Sequence, residues 1–204
     1  MGLIAKEEGG NFEMVPADTY VARCYRVLDL GTHHDEKWDK DVHKVAISWE
    51  LPTALMETGD YAGKPFSIHN RYTLSLADRA ILRKDLEAWR GKAFTEEELS
   101  GFDVSKLLGA TCMINVVHSS DGKYANISSI MKLPKGMECP DAVNEALFLD
   151  LDNFDQEVFD KLHEKVQDFI KKSQEYEQIE ALGINSQGQR TASEDGFADD
   201  DIPF

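Results

Sequence analysis

Residues 64–91 read KPFSIHNRYTLSLADRAILRKDLEAWRG, and this stretch changes its period halfway along. From Lys64 to Leu74 apolar and polar residues alternate. Phe66, Ile68, Tyr72 and Leu74 fall on one face, and Ser67, His69, Arg71 and Thr73 on the other. That is the two-residue period of a half-buried strand. From Ser75 to Arg90 the apolar residues Leu76, Ala80, Ile81 or Leu82, Leu86 and Trp89 recur at three- and four-residue steps, the period of a helix. Gly91 supplies a C-terminal stop. A strand therefore feeds directly into a helix.

Two strands precede this unit and two follow it. In Thr19–Leu30, Tyr20, Ala22, Cys24, Leu28 and Leu30 share one face, and Val21, Arg23, Tyr25 and Val27 the other. Arg26 interrupts the apolar face, which fits a mid-strand bulge, and Gly31 ends the strand. Val42–Leu51 alternates Val45, Ile47, Trp49 and Leu51 with Lys44, Ala46, Ser48 and Glu50, and Pro52 stops it. Thr111–His118 and Lys123–Leu133 flank Asp121-Gly122, a hairpin turn signal. In the connection before them, Thr95 and Glu98 fit a capping box. The order strand, strand, strand, helix, strand, strand is that of the five-stranded OB-fold barrel, β-β-β-α-β-β, although periodicity alone permits another small barrel.

The flanks are different in kind. Residues 1–18, with Gly9-Gly10 and Pro16, read as an N-terminal arm before the domain at 19–136. Residues 137–183 form a C-terminal helical segment. From about residue 150 its stripe of Val158, Phe159, Leu162, Val166, Phe169, Ile170, Tyr176 and Ile179 predicts one long α-helix. Asp152 or Asn153 would cap it and Gly183 end it. Such a stripe packs on the barrel or pairs with a second copy in a homodimer. Residues 184–198 are polar and without period, so 184–204 reads as a flexible linker and disordered acidic tail.

At 204 residues the chain suits one domain plus appendages, and 42% hydrophobic residues suffice for a core. There is no secretory segment after Met1 and no apolar run of about 18 residues, so no membrane association is expected. Cys24, Cys112 and Cys139 are scattered, which excludes a zinc or disulfide framework and suits a reducing cytoplasm. The net charge of −16 is uneven. Residues 1–135 hold 17 Lys and Arg against 20 Asp and Glu, a net of −3, while 136–204 hold 5 against 18, a net of −13. The acidity thus belongs to the C-terminal part, as in interaction tails. A near-neutral body still binds phosphate through a local basic groove. No phosphate-loop glycine pattern and no nucleophile–base set occurs, and the adjacent His33-His34 with Asp35 lack a spaced third ligand. A non-enzymatic protein without cofactor or metal is expected.

Holding a single strand takes cations for phosphates and aromatic faces for bases. In an OB-fold that surface is the outward face of strands two and three with the neighbouring loops. The candidates are Lys37, Trp38 and Lys40 on the first loop, Lys44 on strand two, His69 and Arg71 on strand three, and Lys123 and Tyr124 at the last hairpin. Arg23 and Tyr25 share the outward face of strand one. The bland readings are specific too. Trp38 covers a barrel end, Lys44 and Arg71 are solvated charges, and Trp49 and Tyr72 are in phase with the core.

The last six residues, Asp199, Asp200, Asp201, Ile202, Pro203 and Phe204, put three acids before an apolar tripeptide. A partner would take the ring in an apolar pocket and the carboxylates with Lys or Arg. The string closely resembles the C-terminal tip of bacterial single-stranded DNA-binding proteins, which recruits replication and repair enzymes. The runs GGNFEMVPADTYVARCYRVLDLG, LRKDLEAWRGKAFTEEE and FDVSKLLGATCMINVVH resemble a group of bacteriophage replication-module proteins, predicted single-strand binders with an OB-fold. That likeness spans roughly residues 9–136 and transfers no contact residues. A longer helix region and a short linker depart from the bacterial proteins. The resemblance implies a sequence-independent single-stranded DNA-binding protein of phage replication and recombination. It would protect the strand and recruit host or phage replication, recombination and repair proteins through its tip. The rivals are an interaction protein that captures host enzymes with the tip alone, and an accessory domain of a DNA-processing enzyme.

Overall fold

The computed structural model describes residues 13–183. The chain is mainly β. Six strands, β1 (Thr19–Asp35), β2 (Lys40–Leu55), β3 (Pro65–Thr73), β4 (Thr111–His118), β5 (Ala125–Met131) and β6 (Leu147–Leu149), form one sheet. Its order is β3-β2-β1-β4-β5 with antiparallel neighbours, and β6 runs parallel to β1 at Arg26–Leu28. Five α-helices accompany the sheet, α1 (Ile81–Arg90), α2 (Glu96–Ser100), α3 (Gln156–Asp160), α4 (Glu164–Ile170) and α5 (Gln174–Ala181), with short 3-10 turns at Gly59–Tyr61 and Val104–Leu107.

Helix α1 lies between β3 and β4 in sequence, as the change of period predicts. It buries Leu82, Leu86 and Trp89, and Gly91 ends it in the left-handed conformation at φ 67°. It starts at Ile81 rather than Ser75. The capping box is formed: Thr95 Oγ1 accepts from Glu98 N at 3.2 Å, and Glu98 Oε2 accepts from Thr95 N at 2.9 Å. The sheet does not close. Its end strands β3 and β5 come near each other but share no ladder among the described residues. The expected count of five strands becomes six. On β1, strand β4 pairs only with Thr19–Arg23, and Leu147–Leu149 takes the edge of β1 that β4 leaves free. Three residues are too few to show a period.

The bulge expected near Arg26 is present, and it does more than bend the strand. Cys24 pairs with Trp49 and Arg26 with Ser48, so Tyr25 is the extra residue. One extra residue reverses which face each later side chain takes. Ala22, Cys24 and Val27 enter one core with Ile47, Trp49 and Trp89. Leu28 and Leu30, expected beside Cys24, enter a second core on the opposite face with Phe159, Ile170 and Tyr176. Beyond the bulge β1 is buried on both sides.

The expected long C-terminal helix is three short ones. Asp155 Oδ1 accepts from Glu157 N at 2.8 Å and caps α3. His163 Nδ1 accepts from Lys165 N at 3.2 Å and caps α4, and Ser173 Oγ accepts from Tyr176 N at 3.2 Å and caps α5. Each cap satisfies backbone donors that a continuous helix would use internally, so the apolar stripe is carried by three separate starts. The stripe packs within the chain: Phe159, Leu162, Ile170, Tyr176 and Ile179 are buried. The tail expected for 184–204 and the arm residues 1–12 lie outside the described residues.

Helix α5 is fastened to β1 by polar groups. Glu175 accepts from Thr32 N and Thr32 Oγ1, both at 2.6 Å. Burial pushes the Glu175 carboxyl up, but the Thr32 bonds outweigh it and hold the pKa below the usual value. His43 lies 2.7 Å from Asp29 through Nε2 and 3.6 Å from Glu175 through Nδ1. The hydrogen bond to Asp29 raises the His43 pKa against the opposing effect of burial, and the charges of Asp29, Glu175 and Asp152 add to the rise. A histidine raised on folding stabilises fully below its unfolded pKa of about 6.5 and loses that contribution as pH rises through the folded value. His43→Gln is therefore expected to lower unfolding free energy more at pH 6 than at pH 9 in urea titrations. An equal loss at both pH values would remove the imidazolium from the account.

Candidate nucleic-acid interface

Three strands bring the central candidates into rows. His69 pairs with Ser48 and Ser48 with Arg26, so these three lie side by side across β3, β2 and β1. The next row is Arg71, Ala46 and Leu28, and the next Thr73, Lys44 and Gly31. Neighbouring strands stand about 4.8 Å apart, which puts Lys44, Arg71, His69 and Arg26 on one continuous patch. Arg26 Nε donates to Ser48 Oγ at 3.2 Å, and its guanidinium lies 5.5 Å from the centre of the Tyr25 ring. Among the described residues Lys44, Arg71 and Arg26 make no ion pair.

One acid beside this patch is withdrawn from it. Glu50, the next outward position on β2, is 0% exposed. Its oxygens accept from Val143 N at 3.1 Å, Asn144 N at 2.9 Å and Asn144 Nδ2 at 2.7 Å. The loop at 143–144 thus holds the carboxylate away from the surface. His69 sits at the edge of the patch, where desolvation and the charges of Arg26 and Arg71 hold its pKa below the usual value.

The C-terminal helices cover much of the outward face of β1 and β2, which sequence periodicity left open. One of their side chains enters the patch itself. The Phe169 ring of α4 has Arg71 Cζ at 4.9 Å, Lys44 Nζ at 5.7 Å and the His33 ring at 4.2 Å. Phe169 was legible in the sequence only as part of an apolar stripe, and its spacing gave no sign of these neighbours. Arg26 was visible only as a break in an apolar face.

The first loop is a tight hairpin at the end of β1 and β2. Asp35 accepts from the backbone N–H groups of Lys37 and Trp38 and pairs in register with Lys40. Trp38 is 65% exposed, with Lys37 Nζ 5.2 Å from its ring, so it covers no core. Lys40 is four residues from Lys44 on the same strand, about 14 Å away. Lys123 and Tyr124 are also exposed, but they sit on the β4–β5 hairpin. β4 pairs with the start of β1, so the two hairpins lie at opposite ends of that strand. Arg23 leaves the candidate set: it donates to the carbonyls of Gly109 and Pro140 at 3.0 and 2.9 Å and clamps two connections. Trp49 and Tyr72 are core.

No group of three or more His, Cys, Asp or Glu among the described residues is placed to hold a metal ion. No described helix is long and apolar enough to cross a membrane. The tip residues Asp199, Asp200, Asp201, Ile202, Pro203 and Phe204 lie outside the described residues. The chain matches no protein-family model, no curated protein and no solved structure.

Proposed function

We propose that this chain is a sequence-independent single-stranded DNA-binding protein of phage replication and recombination, built on an OB-type arrangement of β1–β5 and α1. It holds the strand across the outward face of β2 and β3. Its tip, Asp199–Phe204, docks replication, recombination and repair enzymes. The observation that carries the reading is the run of Lys44, Arg71, His69 and Arg26 on one face, with the Phe169 ring against Lys44 and Arg71 and the neighbouring Glu50 sealed away. Cations for phosphates beside rings for bases are what strand binding without sequence preference requires.

The test is intrinsic Trp fluorescence titrated with oligo-dT at low and moderate salt, for the full chain and for a chain ending at Ala198. The exposed Trp38 is expected to report binding by quenching that weakens with salt. Substituting both Lys44 and Arg71 by Ala is expected to weaken binding at least ten-fold. It should also flatten the dependence of log K on log salt by roughly 1.4, at about 0.7 per lost phosphate contact on a single strand. An unchanged slope would remove these two residues from the site.

A second reading rests on two specific observations: the body of the chain carries a net of −3, and α3–α5 cover part of the predicted face. In that reading the protein binds no DNA and uses the tip to occupy enzymes that dock a host protein. A flat titration in both chains, with retained binding to a tip-recognising enzyme, is its signature.

A further inference from the structure

We propose that Phe169 is part of the strand site itself, a base-stacking surface that α4 contributes from outside the sheet. The inference rests on the single-strand reading above and adds to it a subsite for one nucleobase between two phosphates.

Phe169 and Ile170 are adjacent on α4 and do different work. Ile170 is fully buried in the second core and anchors the helix. Phe169 is half-buried: it packs against the rim of the second core, and its ring also meets the Arg71 guanidinium, the Lys44 ammonium and the His33 imidazole. A ring needed only for packing would not also gather cations. Here two cations without an ion pair among the described residues are gathered on a π face.

The chemistry of a strand fits that arrangement. Cation–π contacts at an exposed ring are weaker than charge-assisted hydrogen bonds to phosphate oxygen. Phosphates laid along the patch draw Lys44 and Arg71 off the ring, and a base takes their place against it. Every base has a π face, so the subsite carries no sequence preference. His33 backs one face of the ring, with centroids 4.2 Å and planes 32° apart. Its Nε2 lies 2.8 Å from the Leu30 carbonyl oxygen, which fixes the imidazole on β1.

The experiment is fluorescence anisotropy of labelled oligo-dT across a salt series for wild type, F169L, F169W and K44A. F169L keeps an apolar side chain over the core and removes the π face. It is expected to weaken binding roughly ten-fold, within the range seen for loss of one stacked base, while leaving the salt slope as in wild type. K44A is expected to lower the slope by about 0.7. F169W is expected to keep wild-type affinity and to add an emission that saturating oligo-dT changes. If F169L binds as tightly as wild type, or if the added emission ignores oligo-dT, Phe169 is a packing residue and the Lys44–Arg71 reading stands without it. If wild type itself fails to bind at low salt, the single-strand reading falls and this subsite with it.

Discussion

Glu50→Ala is expected to lower the unfolding free energy by about 3–5 kcal/mol, the scale for removing one partner from a buried charged network. The carboxylate is fully buried, and three N–H groups from Val143 and Asn144 converge on it. Truncation leaves those donors without an acceptor and opens a void under the loop that crosses the sheet. For a chain of this size the loss corresponds to roughly 10 °C in Tm. Glu50→Gln keeps the shape and one acceptor oxygen, so its cost should fall well below that of Ala. Urea unfolding of both variants checks the order. Variants within about 1 kcal/mol of wild type would mean that the 143–144 loop is held by something other than this side chain.

Gly31→Ala is expected to cost about 3 kcal/mol or more. Gly31 has φ 74°, a region that costs an L-residue about 1–2 kcal/mol. A methyl group there would also overlap the Ser173 side chain and lie 2.8 Å from Glu175 Oε2. Ser173 is 0% exposed and caps α5, so it has no room to retreat. Gly122 is the matched control. Its φ is 67°, and open space surrounds the position. Gly122→Ala should therefore show the backbone cost alone, and the difference between the two variants measures the contact between β1 and α5. Equal losses in denaturant titrations would show that α5 is not seated on Gly31.

Gly31 also marks where sequence reading stops being local. Glycine after an apolar run reads as a strand end, yet β1 continues through it to Asp35, because the glycine admits the cap of a helix more than a hundred residues later. Period two identified Lys44, His69 and Arg71 as one face, since alternation along a strand is a local property. The same rule failed for Leu28 and Leu30, because the bulge at Tyr25 inverts the alternation as far as the next bulge, at Leu30. The C-terminal stripe had the correct residues in the wrong number of helices. His163 is an uncommon N-cap, so the restart at Glu164 has little signal in the sequence. Phe169 belongs to the patch through tertiary contact alone, which no spacing encodes.

The divided edge of β1 has a consequence for the chain as it leaves the ribosome. At roughly 5–20 residues per second, the stretch between Asp35 and Leu149 takes on the order of ten seconds to synthesise. Through that interval the backbone at Arg26–Leu28 awaits β6, and Leu28 and Leu30 await their helices. An open edge beside bare leucines invites pairing between neighbouring nascent chains. The bulges at Tyr25 and Leu30 bracket this short edge, and the Arg26 charge sits on it. An extended strand from another polysome therefore meets an interrupted edge rather than one continuous ladder. The irregularities that send β1 into two cores also protect it while the second core is still being made.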